Sequence, residues 1–198
     1  MNKIHNNLTI ENLIKTEWFN QFNEKQKREI NWGIRRNLDI SIYANPKFDW
    51  EQMFQIRIGL QDNLDVSLYA KLDFDSKQMR EIKYGLEANL DTSIYAKSEF
   101  DWTQMKQIRL GLKKNLDVSI YAKIIFNKNQ MFQIRVGLEN NLDVSIYAKP
   151  EFSFLQMEQV RLGLEDNLDV SIYAKSEFDW KQMKKIRKKL ENEQKNTQ

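Results

Sequence analysis

The side chains best suited to chemistry recur at fixed intervals. Arg57, Lys83, Arg109, Arg135, Arg161 and Arg187 form a cationic series with a 26-residue period, and Tyr43, Tyr69, Tyr95, Tyr121, Tyr147 and Tyr173 form an aromatic one. Such ladders can serve two ends. One is nucleic-acid binding, with a cation per repeat on phosphates and tyrosine rings as platforms for bases. The other is structural. By helical angle the arginine lies beside the apolar stripe, and a cation so near a core needs a partner. The recurring Asp65, Asp91, Asp117, Asp143 and Asp169 are available for it, and a planar guanidinium suits a buried pairing. The tyrosines are then expected in the packing between repeats, with hydroxyls reaching water. The structural reading is favoured for both ladders.

Other recurring polar groups offer less. Gln55, Gln107, Gln133 and Gln159 read as solvated side chains on a helix surface. Gly59, Gly85, Gly111, Gly137 and Gly163 fall inside a helical pattern, where glycine costs about 1 kcal/mol against alanine. Their recurrence predicts close approach of the next helix. Catalysis lacks material. His5 is the only histidine, there is no cysteine, and neither phosphate-binding glycine loop occurs. The carboxylates sit at caps and on solvated faces. The expectation is a protein that is not an enzyme and needs no cofactor or metal.

The elements that position these residues come from one repeated unit. Met53, Met79, Met105, Met131, Met157 and Met183 stand 26 residues apart, within a unit reading F-D-W-x-Q-M-x-Q-I-R-x-G-L-x-x-N-L-D-V-S-I-Y-A-K-x-x. We read residues 1–21 as an N-terminal capping segment, 22–177 as six repeats, and 178–198 as a truncated capping repeat with a basic tail. No linker interrupts the array. In the leading segment Thr9 is the expected cap of an amphipathic helix from Leu8 to Gln21.

In the first half of the unit, Asp49, Asp101 and Asp179 are each followed three places on by glutamine, the signature of a capping box. Trp50, Met53, Ile56 and Leu60 then make one helical stripe. The spacing predicts a helix of about 12 residues, ended near Asn63 by the left-handed conformation asparagine tolerates. The second half, N-L-D-V-S-I-Y-A-K, fits either a short helix capped by Asp65 or an alternating strand. The recurring aspartate and the absence of a dense leucine ladder favour the helix. The fold class is therefore all-α, an α-solenoid of helix-turn-helix repeats in which each unit buries its apolar face against its neighbours.

Charge argues against a long electrostatic channel. From Lys181 onward seven basic residues face only Glu191 and Glu193, a surplus of five, so residues 1–180 carry −2 of the net +3. The first residues lack the apolar core and cleavage site of a signal peptide, and no stretch approaches a membrane span. A cytoplasmic protein with no membrane partner is expected.

Interaction residues are sought where the copies disagree, because the fold does not demand those choices. Phe54 and Phe132 follow the repeat methionine where most units are polar. Ile124 and Ile125 replace charged or small pairs, and Asn127-Lys128-Asn129 replaces Asp-Trp-x. Leu72, Phe154 and Leu155 also break the pattern. Apolar departures on a solvent face mark protein contacts. The partner is expected to be another protein, at Phe54, Leu72, Ile124, Ile125, Lys128, Phe132, Phe154 and Leu155; the alternative is RNA or DNA on the Arg and Tyr ladders.

The unit Q-M-x-Q-I-R-x-G-L-x-x-N-L-D-V-S-I-Y-A-K-P-E-F, across residues 22–190, resembles tandem repeats in uncharacterised proteins of low-GC bacteria and their mobile elements. Some of those are described as antirestriction proteins. The resemblance implies no catalytic residue. It implies a phage or mobile-element product that sterically blocks a host defence enzyme.

Overall fold

The computed structural model of the chain describes residues 15–196. Eight α-helices follow in order: α1 (Glu17–Asn20), α2 (Glu24–Arg35), α3 (Trp50–Gln61), α4 (Ser76–Glu87), α5 (Trp102–Lys113), α6 (Lys128–Glu139), α7 (Phe154–Glu165) and α8 (Trp180–Lys195). There is no strand among the described residues. The cap expected at Thr9 lies outside them. Within them the leading segment contributes α1, a single turn whose N-cap Thr16 accepts a hydrogen bond from the Phe19 N–H at 3.2 Å.

Each repeat helix is started and stopped by local chemistry. Asn23, Asp49, Asp75, Asp101, Asn127, Ser153 and Asp179 cap α2 to α8, each with the reciprocal glutamine of a capping box. Such a cap contributes about 1 kcal/mol. Six of the helices run for 12 residues. They stop where Asn37, Asn63, Asn89, Asn115, Asn141 and Asn167 turn to φ between 53° and 56°. The leucine after each asparagine returns its N–H to a glycine carbonyl in the last turn, as Leu64 does to Gly59 at 2.9 Å.

The second half of the unit is helical but only one turn long. The 3-10 turns span Ile40–Ile42, Val66–Leu68, Thr92–Ile94, Val118–Ile120, Val144–Ile146 and Val170–Ile172. Asp65 caps its turn as expected, accepting from the Ser67 N–H at 3.1 Å and the Ser67 hydroxyl at 2.6 Å. A tight turn over Ala70, in which the Lys71 N–H donates to the Tyr69 carbonyl at 2.7 Å, then prevents a second helical turn.

Chain contacts define two units, Met1–Thr92 and Ser93–Gln198. In the first, α2 packs on α3 and α3 on α4; in the second, α5 packs on α6, α6 on α7 and α7 on α8. Within each, successive repeats stack in a solenoid-like array. The core of the first unit centres on Phe48, Met53, Ile56 and Tyr69, and that of the second on Phe126, Met131, Ile134 and Tyr147.

Candidate interaction surface

The recurring polar residues are consumed by the fold, which leaves part of the departures and part of one further row exposed. The cap glutamine has two tasks. Its oxygen accepts from the N-cap N–H, while its Nε2 donates to the carbonyl of the next repeat's phenylalanine. Gln26 reaches Phe48 at 2.6 Å and Gln52 reaches Phe74 at 2.7 Å in the first unit. Gln104, Gln130 and Gln156 reach Phe126, Phe152 and Phe178 at 2.7–2.8 Å in the second. A single side chain thus fixes both a helix start and the register of two repeats.

The arginine ladder pairs with other residues than expected. Arg57 donates Nε–H to Glu29 at 2.7 Å. In the second unit Arg135, Arg161 and Arg187 donate Nε–H to Gln107, Gln133 and Gln159 of the preceding repeat, at 2.9, 2.8 and 3.2 Å. The aspartates of the 3-10 turns are engaged by their own serines instead. Arg135 and Arg161 also bridge to Glu139 and Glu165 one turn on. Burial pushes the Glu139 carboxyl up, but the hydrogen bond from Lys114 and the Arg135 charge outweigh it and hold it below the usual carboxylate range. Gln133 and Gln159, expected in solvent, are buried acceptors for these arginines. Arg109 is half-buried in α5.

One rung is incomplete. Lys83 is buried and turns to Glu87 at 2.5 Å, which leaves the buried Gln55 Oε1 without a hydrogen bond. A lysine has no Nε–H to offer there. Lys83→Arg is expected to complete the rung and raise stability by about 1 kcal/mol. A higher urea midpoint with an unchanged slope is the expected readout; a lower midpoint would refute the rung.

The six ladder tyrosines are wholly buried. Their hydroxyls do not reach water. Tyr43, Tyr69, Tyr121, Tyr147 and Tyr173 donate to the carbonyls of Glu29, Gln55, Gln107, Gln133 and Gln159 at 3.0–3.2 Å. Each of those carbonyls lies one helical turn before a recurring glycine. The glycine admits the hydroxyl of its own repeat's tyrosine, not the neighbouring helix: a Cβ on Gly137 would overlap the Tyr147 hydroxyl and lie 2.8 Å from Val144 Cγ1. Burial pushes these phenols well above their usual range, and Tyr173 up to about 12.

The departures lie outside this framework. In the second unit Ile124 and Ile125, in the loop before α6, are 63% and 62% exposed. Lys128 in the first turn of α6 is exposed, and Phe132 one turn further is 41% exposed, with the Arg135 guanidinium 5.4 Å from its ring. Asn127 preserves the cap that the changed Asn-Lys-Asn sequence put in question. Phe154 and Leu155 are half-buried in the first turn of α7, which packs on α6. Phe54 and Leu72 belong to the first unit: Leu72 is exposed, whereas Phe54 is half-buried under Arg57.

A further row is formed by the residue immediately before the recurring glycine, Gly33 included. In the first unit it is Trp32, Ile58 and Tyr84, with Trp32 and Tyr84 exposed; in the second it is Leu110, Val136 and Leu162, each half-buried. Arg36 stacks on Trp32 at 4.6 Å and Lys83 on Tyr84 at 4.9 Å. Sequence reasoning missed this row because apolar recurrence resembles a core position; its offset from the Met–Ile stripe is the signal that identifies it.

Among the described residues no group of His, Cys, Asp and Glu could hold a metal, and no helix is long and apolar enough to cross a membrane. Compared with models of known families, with curated proteins and with solved structures, the chain matches none.

Proposed function

We propose that this chain is a protein-binding helical-repeat scaffold that acts by binding, not catalysis, and that its partner docks on the second unit around Ile124, Ile125 and Phe132. The observation that carries the reading is the exposure of Ile124 and Ile125, at a place where other repeats use Pro46-Lys47, Ser98-Glu99 or Pro150-Glu151. The fold closes equally well with those pairs. Burying a side chain of this size against a partner contributes about 1.5–3 kcal/mol.

The client we propose is a bacterial defence enzyme, sterically blocked by a phage or mobile-element product. This finer reading rests on the resemblance of the repeat alone. The alternative, RNA or DNA held by the Arg and Tyr ladders, requires buried guanidiniums to leave their glutamine and glutamate acceptors and buried tyrosines to leave the core. Each displaced group costs about 1–3 kcal/mol.

The test is affinity capture from a native-host lysate with the wild-type chain and an Ile125→Ser, Phe132→Ser double variant, with and without nuclease. A protein captured in both nuclease arms, retained at least about tenfold less by the variant, supports the reading. A variant with the same helical signal and melting behaviour establishes that the fold survives. Capture indifferent to the variant overturns the docking surface. Capture lost with nuclease, and falling steeply with salt, transfers the function to nucleic acid.

A further inference from the structure

On α8, the side that the preceding helices turn to their successors carries a different chemistry. Within the second unit α7 shows how that side is filled. The Gln156 amide donates to the carbonyls of Phe178 at 2.7 Å and Ser176 at 3.1 Å, Gln159 Oε1 takes the Arg187 Nε–H at 3.2 Å, and Val160 is fully buried. On α8 the corresponding residues are Gln182, Lys185 and Ile186. The Gln182 oxygen is held by the Asp179 N–H at 2.8 Å, so its amide N–H groups are aimed as in the other repeats, yet among the described residues no carbonyl meets them. Lys185 is exposed where the others carry a glutamine or glutamate acceptor, and Ile186 is half-exposed.

The polarity of the rung is therefore inverted. Inside the array an acceptor awaits an incoming arginine; at α8 a cation stands in the acceptor's register. A further arginine-bearing repeat would be repelled, and an acidic group attracted. We infer that this side of α8 docks an acidic segment of a second protein as a substitute repeat. An unpaired backbone carbonyl beside an aromatic residue would take the Gln182 N–H, a carboxylate would pair with Lys185, and the aromatic ring would cover Ile186. A nucleic-acid phosphate would satisfy Lys185 but leave Ile186 exposed and the carbonyl donor unused, so a protein segment fits better. This site is separate from the surface around Phe132, and the two stand or fall independently.

The test is selection of a displayed library of random linear peptides on the full chain, followed by titration of selected synthetic peptides. Peptides joining an aromatic residue to adjacent acids are expected. Lys185→Glu should weaken them by about tenfold or more, and Gln182→Ala should also weaken them. Lys185 is exposed and makes no capping contact, whereas Gln182 completes the capping box of α8, so an unchanged helical signal and melting behaviour of each variant establish that the fold survives. A Phe132→Ser chain should bind these peptides unchanged. Failure to enrich acidic–aromatic peptides, or enrichment indifferent to Lys185 and Gln182, overturns the inference. Peptides that depend on Phe132 but not Lys185 support the docking surface of the second unit and refute this one.

Discussion

Gly137→Ala is expected to destabilise the second unit by about 2–4 kcal/mol, although alanine is the better helix former. The added methyl enters the volume held by the Tyr147 hydroxyl and presses on Val144 Cγ1 at 2.8 Å. The ring cannot withdraw without leaving a wholly buried site and breaking its bond to the Gln133 carbonyl at 3.2 Å. The loss thus combines overpacking with a broken hydrogen bond. A double-mutant cycle isolates the cause. Tyr147→Phe removes the oxygen, after which the nearest ring atom to the new methyl is Cζ at 3.2 Å. The double variant should then recover at least about 1 kcal/mol relative to the sum of the single changes. Additivity within about 0.5 kcal/mol would mean that the glycine is required for another reason.

The second large effect is alkaline unfolding. Burial, the dominant cause, keeps the Tyr43, Tyr69, Tyr121, Tyr147 and Tyr173 phenols protonated well above their usual range. In the unfolded chain they titrate near pH 10. A raised folded value gives stability that is fully present below the unfolded value and lost as pH rises toward the folded one. Each tyrosine contributes a slope of roughly 1.4 kcal/mol per pH unit in that window. The first unit should therefore lose about 3 kcal/mol per pH unit through Tyr43 and Tyr69, and the second about 4 through Tyr121, Tyr147 and Tyr173. Against a total of about 5–15 kcal/mol, unfolding is expected between about pH 11 and 13. Phenolate absorbance should rise together with loss of the helical circular dichroism signal. Phenolate absorbance beyond that of one tyrosine, the exposed Tyr84, while the helices are intact would refute the buried ladder.

The candidate surface was only partly legible in the sequence. Ile124, Ile125 and Phe132 stood out because they depart from a repeat that fixes its other positions. Trp32 and Tyr84 did not, since every complete repeat has a large apolar residue in that register and recurrence suggests a core role. Angle decides otherwise: the residue just before the glycine lies off the Met–Ile stripe, and its exposure depends on how far neighbouring helices cover it. The lone lysine of the ladder likewise looked like a conservative exchange. The unmet Gln55 oxygen shows that it is not, because lysine cannot place a donor where the guanidinium Nε–H would be.

The sequence by itself determined the period, the helix starts at Asp49, Asp101 and Asp179 and the stop near Asn63, and it favoured the all-α class while leaving a strand open for the second half of the unit. These are local outcomes, since a cap bonds to a backbone three residues away and a left-handed asparagine needs only its own side chain. The tertiary structure alone decided who pairs with whom. Glutamine reaches a carbonyl 22 residues on, arginine an acceptor 28 residues back, and tyrosine a carbonyl 14 residues back. Such partners depend on the register in which one repeat lies against the next. Aspartate, glutamine and glutamate are all acceptors that an arginine could use, so residue type could not choose among them; distance in the folded array did.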